Sequence, residues 1–219
     1  MKTLRIAPFL LVLLPLGALA RGPSVVEEEG CIVFVEPNGT KHPLGIAGKD
    51  SQPSLSPDGK AIVFVRQGSG GKVESAIGEV EANEIWWMEA TGGKARRLVK
   101  SAASNEPKRS LAALQSPQFS PDGKTVFFLS AAWVTSGAVH KVDVATGKEQ
   151  FVASGNSLEV VPRGEYRGRL IVQQHKYFLG GGSYDWFWLL EPDGRAIDPL
   201  GEDASHFLEV YLPDEAASP

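Results

Sequence analysis

Two stretches of this chain are near copies of one another, and their shared turn constrains the fold more than any other feature. Gln52 to Val65 reads QPSLSPDGKAIVFV, and Gln115 to Leu129 reads QSPQFSPDGKTVFFL. Each joins a short strand to Ser-Pro-Asp-Gly, at Ser56 to Gly59 and Ser120 to Gly123, and then to an apolar, β-rich strand. Proline presets φ at the second turn position, Asp tolerates the third, and Gly accepts the positive φ needed to re-enter a strand. The serine hydroxyl can bond back to the turn's own amides. Two β-hairpins are therefore expected.

A second hairpin recurs four times: an apolar strand, an acidic residue, a Gly-containing turn and a shorter polar strand. The copies are CIVFV-EPNG-TKHPL from Cys31, EIWWM-EATGG-KARRLV from Glu84, AVHKV-DVATG-KEQFV from Ala138 and DWFWLL-EPDG-RAIDPL from Asp185. Their glycines, Gly39, Gly92, Gly147 and Gly194, recur at intervals of about 50 residues, the spacing of propeller blades rather than of helical solenoids. With 24 Gly and 15 Pro residues, the chain favours turns over long helices. No sustained 3.6-residue apolar stripe is present, and Ser110 to Leu114 is the one segment with the makings of a helical turn.

The strands fall into two chemical kinds. Those beginning near Cys31, Ile62, Ile85, Val126, Leu170 and Trp186 are apolar on both faces, so both faces must be covered, as when one blade stacks on the next. Trp86, Trp87, Trp186 and Trp188 belong to such strands and are expected in the core. Strands after the second hairpin carry Lys, Arg or Pro, which suits an outer edge that must resist sheet-to-sheet aggregation.

The expected fold is all-β, a small β-propeller of about four blades. Gln52 to Val99, Gln115 to Val152 and Leu158 to Leu200 make three blades, the last with a decayed first turn at Pro162-Arg163-Gly164-Glu165. Ser24 to Leu44 reads as a blade without its inner strand, and His206 to Tyr211 as an inner strand without a blade. Pairing these N- and C-terminal strands would close the ring.

The S-P-D-G-K turn and the downstream IWWMEATGGKARRL hairpin resemble the PD40 (WD40-like) β-propeller repeat of the TolB-like propeller family. The resemblance is good across Gln52 to Val99 and Gln115 to Val152, and fair from Leu158 to Leu200. It implies a propeller and says little about activity. TolB-like proteins carry six blades and an N-terminal domain, for which this chain has no room, so their lipoprotein partner is not carried over. The same repeat forms gating propellers in prolyl-oligopeptidase-type peptidases, but no hydrolase domain stands beside it here.

Residues 1–20 read as a signal peptide: Lys2 and Arg5, an apolar run from Ile6 to Leu16, then Gly17-Ala18-Leu19-Ala20 as a small-residue cleavage site. Residues 21–219 are then a single propeller domain, exported to the periplasm or secreted, with no membrane insertion after cleavage. Loss of Lys2 and Arg5 makes a formal net charge of −4 two units more negative, which argues against nucleic acid as a partner. The single cysteine, Cys31, cannot form an internal disulfide and suits a buried strand start.

Hydrolase signatures such as G-x-S-x-G and H-E-x-x-H are absent. Asp58 and Asp122 read as turn formers. The histidines His42, His140, His175 and His206 are scattered, so no metal and no cofactor are expected. The functional candidates are long connections on one rim: Gln67 to Asn83, Ser101 to Leu114, Ala131 to Gly137 and His175 to Tyr184. They carry Lys108, Arg109, Trp133, His175, Tyr177, Phe178 and Tyr184, of the aromatic and basic types that anchor interfaces, and also Glu74, Glu79 and Glu81. Of these, Lys108, Arg109, Trp133, His175, Tyr177 and Tyr184 are the expected binding residues. The expected role is a non-enzymatic binding or scaffold module, monomeric rather than dimeric, holding a protein or cell-envelope partner. The alternative is a small hydrolase or lyase with a central-channel site in which His140, His175 and His206 converge with a carboxylate.

Overall fold

The repeated turns close as their chemistry requires. The Ser56 hydroxyl donates to Asp58 Oδ1 (2.6 Å) and accepts the Ala61 amide (2.8 Å), while the Lys60 amide donates to Asp58 Oδ1. Ser120, Asp122, Lys124 and Thr125 repeat this pattern. Gly59 and Gly123 both sit at φ +71°, where a side chain would be strained. The computed structural model describes residues 22–212, and the leader assigned to residues 1–20 lies outside them.

These turns build four antiparallel sheets in chain order. The first has three strands, β1 (Ser24–Glu28), β2 (Cys31–Val35) and β3 (Lys41–Leu44). Blade one is β4 (Asp50–Leu55), β5 (Ala61–Ser75), β6 (Gly78–Glu89) and β7 (Arg96–Lys100). Blade two is β8 (Ala112–Phe119), β9 (Thr125–Ala131), β10 (Gly137–Asp143) and β11 (Glu149–Ser154). Blade three is β12 (Glu159–Val160), β13 (Leu170–Tyr177), β14 (Ser183–Leu190) and β15 (Ala196–Gly201). Helix α1 (Ser205–Tyr211) follows.

Stacking of each sheet on the next hides the apolar strands. Ile32 and the inward face of blade one, with Ile62, Phe64 and Met88, form the first core. Val63, Val65 and Ile85 then meet Leu114, Phe119 and Phe128 of blade two. On the far side of blade two, Phe127, Leu129 and Val139 meet Leu170, Val172 and Leu190 of blade three. Alternate residues of one strand, such as Phe127 and Phe128, thus enter different cores, which explains why these strands are greasy on both faces. Trp86, Trp87 and Trp188 are half-buried at the margins of these cores.

The last core corrects an expectation. His206 to Tyr211 is not a strand but part of α1, and its Phe207 packs on Val161, Ile171 and Leu189 of blade three. β1 pairs only with β2, so the terminal segments do not close a ring by strand pairing among the described residues. In the helix Phe207 and Leu208 turn toward blade three, and they cover the apolar sheet face that a further blade was expected to cover. The expected helical turn at Ser110 to Leu114 is also displaced: a 3₁₀ turn occupies Pro107–Arg109, and β8 begins at Ala112.

A buried ion pair fixes the first sheet to blade one. Asp50, whose side chain is fully buried, accepts from Arg66 Nε and Nη2, both at 2.6 Å, and from the Ile46 amide. The guanidinium lies over the rings of Phe64 and Trp86, so the linker from β3 is tied to the middle of blade one.

Candidate functional site

In each blade the second and third strands are joined on the rim opposite the Ser-Pro-Asp-Gly turns. Two of these connections are not the loops expected from sequence. Gln67 to Asn83 is mostly a β-ribbon, paired from Lys72↔Glu81 to Ser75↔Gly78 beyond a register shift. His175 to Tyr184 is also a ribbon, closed by a tip at residues 178–182. The ribbons extend past the blade body and carry their tips away from the core.

The three tips share one property. Each exposes a large apolar side chain: Ile77 in blade one (62% exposed), Val134 in blade two (79%), and Phe178 with the fully exposed Leu179 in blade three. Ile77 and Val134 line one shallow cleft together with Trp133. Sequence reasoning chose the rim for its aromatic and basic residues and passed over Ile77, Val134 and Leu179. Their place at the tips of these connections marks them only once the strands are paired.

The sequence-chosen residues divide into two groups. Lys108 and Trp133 come together in blade two, both against Phe151: the Lys108 ammonium lies 5.4 Å from its ring centroid, and the Trp133 ring meets it edge-on at 6.3 Å. Arg109 is not part of that contact; it forms an exposed pair with Glu106. The other group lies on blade three. His175 Nδ1 bonds Asp185 Oδ1 at 2.9 Å, and its ring meets Tyr177 edge-on. Tyr184 contacts Phe178 and Trp186. Strand alternation separates these further, because His175 pairs with Asp185 while Tyr184 pairs with Lys176. Lys176 lies 3.3 Å from the Trp188 ring, and burial pulls its pKa below the ordinary lysine value.

Beneath Phe151 lies a buried polar network that sequence reasoning missed. His140 is fully buried, stacked on Phe128 and edge-on to Phe151. Its Nε2 faces Ser130 Oγ at 3.0 Å and its Nδ1 faces Glu149 Oε1 at 2.5 Å. The order serine, histidine, carboxylate is that of an activated nucleophile. Ser130, however, has no exposed surface, and its hydroxyl donates to the Ser110 carbonyl at 2.8 Å. The arrangement instead ties the connection before β8 to the middle of blade two.

The central-channel arrangement is not formed. His140 pairs within blade two, His175 pairs with Asp185, and His206 lies on α1. Among the described residues, no three His, Cys, Asp or Glu side chains gather as a metal set. No helix among them is long and apolar enough to cross a membrane.

Solved structures share this arrangement of blades. TolB from Acinetobacter baumannii is 18% identical, the match covering 78% of this chain and 37% of that one at a TM-score of 0.50. The blades are those of a β-propeller. Dipeptidyl peptidase 4 from Porphyromonas gingivalis is 9% identical over 83% of this chain and 31% of its own, also at 0.50. A puromycin hydrolase variant is 15% identical over 80% and 30% respectively, again at 0.50. The chain therefore spans well under half of each protein, and the likeness establishes fold alone. No protein-family model and no curated protein matches the chain.

Proposed function

We propose that this chain is an exported, non-enzymatic binding module that holds a protein partner of the cell envelope on its ribbon-tip rim. The reading of export rests on the leader-like residues 1–20. The blades are an arc of three complete units, with the three-stranded N-terminal sheet as a fourth lacking its inner strand. The observation that carries the binding role is that all three tips on one rim present an exposed apolar side chain, Ile77, Val134 and Leu179. Isolated exposed apolar residues are ordinary on a protein surface. Three at equivalent positions, two of them raised on ribbons and flanked by Trp133, Tyr177 and Lys108, are the makings of an interface with aromatic anchors and a polar margin.

The test compares partner recovery after cross-linking in cells for the wild type, a Trp133→Ala/Arg109→Ala variant, and an Ile77→Ser/Val134→Ser/Leu179→Ser variant. The proposal expects the tip variant to lose the partner and the first to lose part of it through Trp133. Equal recovery from all three contradicts it.

A further inference from the structure

A large cavity lies on the opposite rim, between blades two and three, away from the ribbon tips. It encloses about 820 Å³ and is walled by Pro121, Phe127 and Pro192. Four cationic side chains line it, Lys141, Lys148, Arg167 and Arg169, against two carboxylates, Asp122 and Asp143. A positive cavity in a chain of net charge −4 runs against the overall balance of the molecule.

Three of those cations form no ion pair among the described residues. Arg167 donates from Nη2 to the Pro121 carbonyl (3.0 Å) and from Nε to the Pro162 carbonyl (3.3 Å). These neutral acceptors fix the guanidinium between the two blades without an ion pair, with three of its five N–H groups uncommitted. Lys141 donates to the Pro192 carbonyl at 3.2 Å, again a neutral partner. Lys148 has no carboxylate within ion-pair distance among the described residues. Arg169 differs, being paired with Glu191 at 2.8 Å.

The lining carboxylates are occupied within their own turns. Asp122 Oδ1 accepts from the Ser120 hydroxyl and the Lys124 amide. Asp143 Oδ1 accepts from the hydroxyl and amide of Thr146, both at 2.7 Å. They fold the turns that bound the cavity and do not pair with its cations.

We infer that this interblade cavity binds a small organic oxyanion, its phosphate or clustered carboxylates held by Arg167, Lys141 and Lys148 and its body against Pro121 and Pro192. The volume lies within the range of small-molecule sites, about 300–1,000 Å³. A guanidinium already held by the backbone gives up little freedom on binding, and its planar donors suit either head group.

The test is an NMR titration of the 15N-labelled protein with inorganic phosphate and, separately, with citrate, at constant ionic strength against sodium chloride. The inference expects saturable shifts confined to amides of residues 141–150 and 167–169 with at least one of the two anions. The tighter of the two identifies the head group. Arg167→Gln and Lys148→Gln should each weaken binding about tenfold, the effect of about 1.4 kcal/mol. Because Arg167 also bridges two blades, Lys148→Gln, whose side chain is exposed, separates lost binding from lost folding. Shifts that are unsaturable and spread over the surface overturn the inference, as do affinities unchanged in Lys148→Gln.

Discussion

The Asn83 carboxamide closes two hydrogen bonds on the backbone of Leu114, Nδ2 donating to its carbonyl at 2.7 Å and Oδ1 accepting its amide at 3.0 Å. Leu114 is buried, and a register shift between Ala112 and Gln115 takes it out of the ladder with β9. A side chain of blade one thus supplies what a strand partner in blade two does not. Gln118 repeats the device one blade on, donating to the Leu158 carbonyl (2.7 Å) and accepting the Val160 amide (2.9 Å).

Removing either carboxamide leaves two buried backbone groups unsatisfied. Asn83→Ala and Gln118→Ala should each cost about 2 kcal/mol. Because they serve different blade interfaces, their effects should add in the double variant. Urea denaturation of the single and double variants checks both statements.

The cap on blade three makes a second prediction. Phe207 is buried against Val161, Ile171 and Leu189, so Phe207→Ala should destabilise by about 3–5 kcal/mol. It should also expose the apolar sheet face, read as increased binding of a hydrophobic dye and a tendency to self-associate. A strand role for this segment would instead predict no dependence on Phe207 beyond that of its neighbours.

The repeated turns predict a pH dependence. The Ser56 hydroxyl and the Lys60 amide hold the Asp58 carboxyl below its ordinary value of 3.8, and Ser120 and Lys124 do the same for Asp122. A carboxyl depressed on folding contributes stability that is present above its unfolded pKa and lost as pH falls through the folded value. Acidification from 3.8 downward should therefore lower the urea midpoint of the wild type. Asp58→Asn/Asp122→Asn should lose less over that same interval, while starting lower at neutral pH.

The fold was legible wherever local chemistry decides it. Ser-Pro-Asp-Gly specifies its own turn, and strands such as Thr125–Ala131, apolar without a break from Val126 to Leu129, can only lie between two layers. The C-terminal segment was not legible because His206 to Tyr211 contains Phe, Leu, Val and Tyr, which serve a short strand and a short helix alike; packing on Ile171 and Leu189 selects the helix. At the rim, residue type pointed to Lys108 and Trp133, which do meet at Phe151. Ile77, Val134 and Leu179 gave no chemical signal, since their significance lies in being apolar at an apex. Likewise, nothing local distinguishes Lys141, Lys148 and Arg167 from solvated surface charge until two blades bring them to one cavity.

The most direct measurement of the recognition role is site-specific photo-cross-linking in cells from residues 77, 134 and 179. Lys94, in the connection of blade one that faces the other rim, serves as the control position. The account predicts adducts of one common mass from all three tips and none from position 94. Adducts from position 94 as abundant as those from the tips, or none from any tip, would contradict it.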